Sequence, residues 1–177
     1  MHPSATPLRI VFLDFDGVLN CHAYLSERSN HRKNIENLSR FDARWWGEMI
    51  DPKAVEHLNS IVEQTGAYVV VCSSWRHGHS YERLRRVLQV RGFRGEVLGV
   101  TPTLDGSQRG AECVAWIHAW PRTVESFVAL DDESDYEPIM DRLVKTGWHL
   151  GGLLEEHVAP AVALLRTPAR VPPPVIA

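Results

Sequence analysis

The sequence predicts a three-layer α/β sandwich around a mainly parallel sheet, and three observations carry that prediction. Short runs rich in Val, Ile, Leu and Phe alternate with stretches of helical periodicity, the order that right-handed strand–helix–strand crossovers produce. The runs lack the apolar–polar alternation of a half-exposed strand, as strands covered on both faces do. Hydrophobic residues at 44% and charged residues at 23% of 177 positions are those of an ordinary globular domain.

The elements follow in order. LRIVFLDF (Leu8–Phe15) reads as the first strand. A polar excursion then runs from Cys21 to about Glu48, carrying Arg28, Arg32, Lys33, Arg40 and Arg44, with little apolar periodicity before RWWGEMI. Asp51 offers an N-cap with Pro52 at the first helical position, and Val55, Leu58, Ile61 and Val62 form an apolar stripe stopped by Gly66. AYVVVCSS (Ala67–Ser74) is the second strand, and Tyr81 to Arg91 is a helix with Leu84, Val87 and Leu88 inward. EVLGV (Glu96–Val100) is the third strand. From Ser107 to Trp120, Cys113, Trp116, Ile117 and Trp120 follow i, i+3, i+4, i+7 spacing, ended by Pro121. VESFVALDD (Val124–Asp132) is the fourth strand, followed by a short helix near Glu137–Arg142 and a short fifth strand around Leu143–Thr146. A last helix lies between about Leu154 and Leu165, with Pro160 as its kink or its start. The organisation is one domain over 1–167, with a flap or minimal cap at about 21–50 and a proline-rich, extended tail at 168–177 that is a candidate for mobility.

Bulk properties narrow the function. A net charge of -3 gives no global attraction to nucleic acid or anionic membrane. Three cysteines (Cys21, Cys72, Cys113), an odd number without CxxC spacing, argue against a disulfide framework and suit reduced thiols in the cytoplasm. The start MHPSATPLR lacks the pattern of a secretory signal, and no apolar run approaches a membrane span.

In a parallel α/β sheet, ligands bind beyond the carboxyl ends of the strands. There the first strand ends in Asp14 and Asp16, the second in Ser73 and Ser74, and the fourth in Asp131 and Asp132, with Asp135 beyond and Arg109 in the first turn of the helix after strand three. So many carboxylates in one cleft repel one another, and a divalent cation is the remedy; oxygen-only donors suit Mg²⁺. No histidine falls in an HxH or HExxH arrangement, which leaves a zinc site without support.

These residues resemble a known family. DFDGVLN resembles motif I, VVVCSS motif II and VALDDESD motif IV of the haloacid dehalogenase-like (HAD) phosphohydrolases, and SSWR, RGAECVAWI and LDDESD together look like the small HAD domains of RNA repair proteins of the Swiss Army Knife type. The resemblance implies a Rossmann-like sheet with a minimal cap and a Mg²⁺-dependent phosphatase. Asp14 would be the nucleophile and Asp16 the general acid and base, with Ser73 as a donor to the phosphoryl group. Asp14, Asp16 and either Asp131 or Asp132 would hold Mg²⁺. The usual motif III lysine is missing, since no lysine lies between Lys53 and Lys145, and Arg109 is the substitute. Ser74, Arg76 and Gly17 complete the substrate-binding set, with Arg76 either binding phosphate or bracing the acidic cluster. Trp75 either stacks on a base or packs, and the basic excursion including NHRKN either guides a polyanion or is a solvated flap. The expected partner is a phosphorylated substrate, whether a nucleotide, a nucleic-acid end or a small phosphomonoester. The alternatives are a phosphoacceptor or a phosphate-binding regulatory domain; the first is disfavoured by the absence of a lysine at a late strand end.

Overall fold

A computed structural model describes residues 7–28, 35–106 and 108–174. The stretch NHRKN and the first six residues, on which two of the expectations above rest, lie outside the described residues.

Five parallel strands form one sheet in the order β3-β2-β1-β4-β5, with β1 Leu8–Leu13, β2 Tyr68–Val71, β3 Val97–Val100, β4 Val124–Asp131 and β5 Leu143–Lys145. The helices are α1 His22–Arg28, α2 Ala43–Gly47, α3 Pro52–Thr65, α4 Tyr81–Val90, α5 Arg109–Ala119 and α6 Glu155–Arg166. Successive residues of β1 serve opposite faces. Val11 and Leu13 join Val69, Val71, Val128 and Leu130 under α3, α4 and α6, while Ile10 and Phe12 join Val70, Phe127 and Ala129 under α5. Both faces are thus covered, as the uninterrupted apolar runs demand. Each fully buried Leu, Val, Ile or Phe contributes roughly 1.5–3 kcal/mol of transfer free energy.

The start and stop signals of α3 work as the sequence suggests. Asp51 accepts the Lys53 N–H at 2.8 Å, Pro52 occupies the first turn, and Gly66 ends the helix at φ +67° with its N–H on Val62 O at 2.8 Å. Asp51 also donates its backbone N–H to Leu19 O at 2.7 Å, which closes the base of the excursion that leaves at Asn20.

The structure refines four expectations. The excursion carries α1 and α2, at seven and five residues too short to leave a periodic trace. The helix expected near Glu137–Arg142 shrinks to a single 3-10 turn, Met140–Arg142, and Pro160 lies inside α6 rather than starting it. The tail is extended, yet through residue 174 it is tied down: Ala169 N–H donates to Glu125 O at 2.8 Å, Arg142 donates to Thr167 O and Pro168 O, and Ala169 and Val171 pack on the α5 face. Among the described residues no helix is long and apolar enough to cross a membrane.

Candidate active site

The carboxyl ends of β1 and β4 are neighbours in the sheet, so the residues just beyond them meet. Asp14 lies one residue past β1 and donates its backbone N–H to Leu130 O at 3.1 Å; Asp131 is the last residue of β4. Both are buried. One carboxylate oxygen from each of Asp14, Asp131 and Asp132 lies within 4.8 Å of the others.

Arg109, at the start of α5, stands across this group. Its Nη1 is 3.2 Å from Asp14 Oδ2 and also donates to Asp131 Oδ2. Burial works against the Arg109 charge, but Asp14 and Asp131 outweigh it and hold the guanidinium firmly protonated. Tyr136 donates its hydroxyl to the same Asp131 oxygen at 2.5 Å, and the Glu133 N–H reaches Asp131 Oδ1 at 2.8 Å. Asp131 is therefore engaged at both oxygens. Asp14 is not: its Oδ1 is buried without a hydrogen-bond partner. Desolvation, then the charge of Asp131, push the Asp14 carboxyl up to about 6 against the pull of Arg109 and a Ser73 hydrogen bond. Burial and then Asp131 also raise the Asp132 carboxyl.

A buried oxygen without a donor beside two further carboxylates fits a hard divalent cation, because only oxygen donors are offered and the excess negative charge is otherwise uncompensated. Gly17 shapes the entrance. It turns the chain at φ +74°, and a Cβ there would fall 2.1 Å from Asp132 Cγ, so glycine is required for Asp132 to stand where it does. Asn20 Oδ1 accepts the Gly17 N–H at 3.2 Å and Thr146 Oγ1 donates to Gly17 O at 2.7 Å, fixing the loop.

Asp16 is half-buried, and each of its oxygens has one donor: Asn20 Nδ2 to Oδ1 at 2.9 Å and Trp75 Nε1 to Oδ2 at 2.8 Å. Ser73, fully buried, accepts the Trp75 N–H at 3.3 Å, whereas Ser74 is exposed on the 3-10 turn Ser74–His77. Asp135 accepts Arg109 N–H at 3.4 Å and, through its carbonyl, Gly110 N–H at 3.1 Å, and so seats the start of α5.

The structure gives Arg76 neither of its two expected tasks, binding phosphate or bracing the acidic cluster. Its guanidinium pairs with Glu112 at 2.6 Å, both side chains only 7% exposed, and donates to Cys72 O and Ser73 O. It braces the strand-two loop rather than facing a phosphate. One sequence statement is overturned: a lysine does end a late strand, because Lys145 closes β5, where its ammonium donates to Ser134 Oγ at 2.6 Å. Asn20 and Tyr136 carry no sequence signal for these contacts, and Trp75, expected to stack or pack, also donates to Asp16; its position directly after Ser73–Ser74 is the one trace in the sequence.

Comparison with known proteins bears on this geometry. A family model described as the HAD domain in Swiss Army Knife RNA repair proteins matches residues 10–158, a span holding every residue named above at the strand ends. No curated protein matches the chain.

Proposed function

Because the chain belongs to the family of HAD domains found in Swiss Army Knife RNA repair proteins, we propose that it is a Mg²⁺-dependent phosphatase acting through an aspartyl phosphate. The observation that carries the reading is the buried, unpartnered Oδ1 of Asp14 beside the Arg109-bridged Asp131 and the nearby Asp132. The Asp14 carboxylate attacks phosphorus as the bond to the leaving oxygen breaks, and Asp16 gives its proton to that oxygen. Water then attacks the phosphoryl group, Asp16 takes the water's proton, and the Asp14–phosphorus bond breaks to release inorganic phosphate. Arg109 and the Ser73 hydroxyl are the donors for the phosphoryl oxygens.

Mg²⁺ would be held by Asp14, Asp132 and the Asp16 backbone carbonyl, and when bound it supplies positive charge that offsets repulsion between the nucleophile and the phosphate. Asp131, already engaged at both oxygens by Tyr136, Arg109 and Glu133, is better placed to hold Arg109 than to bind metal directly.

The substrate is proposed to be a nucleotide or a nucleic-acid end. Support comes from an aromatic and cationic surface shared by the excursion and α4: Phe41 is 87% exposed, Arg40 lies 5.6 Å from the Trp45 ring centre, and Arg83 of α4 lies 5.9 Å from that of Phe41. The 21–50 segment acts as a minimal cap on one domain spanning 1–167. Three free, buried cysteines suit a reducing compartment, and the proposed location is the cytoplasm.

The test is release of inorganic phosphate, with Mg²⁺, from an aryl phosphate, a nucleotide panel and 3′- or 5′-phosphorylated oligonucleotides. Release from at least one class, abolished in Asp14→Asn, is the expected result. Silence on every substrate refutes the phosphatase, and full activity in Asp14→Asn refutes the covalent route.

A further inference from the structure

We propose that Trp75 is a positioning residue for Asp16, and that α2, through Trp46, sets the posture of that acid. The inference rests on the reading of Asp16 as proton donor to the leaving oxygen.

Asp16 sits beyond the end of β1, outside the sheet ladder, so backbone pairing does not fix its carboxyl. Two side-chain donors do: the indole N–H of Trp75 on Oδ2 at 2.8 Å and the amide of Asn20 on Oδ1 at 2.9 Å. An indole N–H only donates, and the amide nitrogen of Asn20 only donates as well. Each Asp16 oxygen therefore has one lone pair committed, and the catalytic proton must travel on one of the two that remain. The two donors thus choose the direction in which Asp16 presents its proton.

Trp75 can do this because its ring has little freedom. It meets the buried Phe15 edge-on at 5.1 Å and 65°, and meets Trp46 at 5.4 Å and 71°. Trp46 is itself fixed by its indole N–H on Arg40 O at 2.8 Å and by contact with His79 at 4.4 Å. Such edge-to-face pairs are each worth about 0.5–1.5 kcal/mol beyond burial. Trp75 is thus wedged between the core and α2, and a shift of α2 reaches Asp16 through one ring. Because α2 belongs to the excursion with the exposed Phe41 and Arg40, contact with a substrate there and alignment of the acid are mechanically linked.

The test pairs kinetics with a direct view of the contact. Trp75→Phe keeps a ring between Phe15 and Trp46 but deletes the N–H. An alkyl phosphate, whose leaving oxygen needs a proton, should lose about 10- to 100-fold in kcat/KM, while a nitrophenyl phosphate, whose leaving group does not, should lose less than about threefold. Equal losses on both substrates, or none, overturn the inference. In ¹H–¹⁵N spectra the indole resonance absent from Trp75→Phe should shift upfield in Asp16→Ala and move in Trp46→Ala. A resonance unmoved by Asp16→Ala overturns the contact whatever the kinetics give, and one moved by Asp16→Ala but not by Trp46→Ala overturns the α2 link. If wild-type protein cleaves no phosphate ester of the full substrate panel, the phosphatase reading fails, and the spectra still decide the positioning of Asp16. Should Trp75→Phe fail to fold, through-space contacts to the Phe15 ring assign the Trp75 indole resonance in the wild type, and the spectra of the other two variants decide.

Discussion

Replacing Asp14 by Asn should make the metal-free protein more stable at neutral pH while destroying its proposed chemistry. The Asp14 carboxyl rises from an ordinary 3.8 to about 6, first through burial and then through Asp131, with Arg109 and Ser73 opposing. At about 1.4 kcal/mol per tenfold change in proton affinity, ionising it in the fold costs about 3 kcal/mol. The sign follows from which state binds the proton more tightly. The folded state does, so this stability is full below about pH 4, is lost as pH rises to about 6, and stays lost above. Asparagine is neutral throughout and avoids that loss, although Arg109 gives up one of its two carboxylates. A net gain of about 2 kcal/mol, or about 6 °C in Tm for a chain of this size, is expected at pH 7.5 in EDTA. The gain should vanish near pH 4 and narrow when Mg²⁺ is added. Circular-dichroism melts of both proteins from pH 4 to 7.5 decide the matter: an Asn variant that melts at or below wild type at pH 7.5, or a gap that does not change with pH, refutes the reasoning.

Other outcomes follow from close contacts. Gly17→Ala puts a methyl onto the Asp132 carboxylate at a φ of +74°, so the Mg²⁺-induced rise in Tm should disappear in thermal melts; an undiminished rise would show that Asp132 does not hold the ion. In Gly110→Ala the new Cβ lies 2.3 Å from Tyr136 O, and urea unfolding should report a loss of roughly 2 kcal/mol or more, because backbone rather than a flexible side chain must yield. Arg76→Met strands Glu112 as a buried unpaired charge and should cost about 3–5 kcal/mol, with Arg76→Met/Glu112→Leu recovering much of it in the same assay; a double variant as unstable as the single would locate the cost in the lost carbonyl contacts.

The strands were legible because double-sided burial writes itself into composition, and α3 because Asp51, Pro52 and Gly66 each do a local job. Strand order was not, since it depends on where each crossover lands and no residue encodes that singly. The acids were legible for a topological reason: parallel strands place all their carboxyl ends on one edge, so Asp14 and Asp131 had to approach once β1 and β4 paired. What stayed hidden were single contacts over long separations, such as Arg76 to Glu112 across 36 residues and Trp75 to Asp16 across 59, which leave no periodic mark. The helix α2 was hidden because its five residues owe their conformation to the rings around them and to the Asp42 cap, not to propensity.

The aromatic wedge also gives the molecule an optical property. Trp45, Trp46 and Trp75 lie 4.8 and 5.4 Å apart in sequence of contact, close enough for their electronic transitions to couple, and Trp46 and Trp75 pack on one side of the sheet. Trp116 and Trp120 stack at 4.7 Å on the other side, remote from the acids. Beside Trp148, the near-ultraviolet spectrum therefore holds two tryptophan groups, one reading the neighbourhood of Asp16 and the other serving as an internal reference, so that a ligand at the excursion would announce itself without any label.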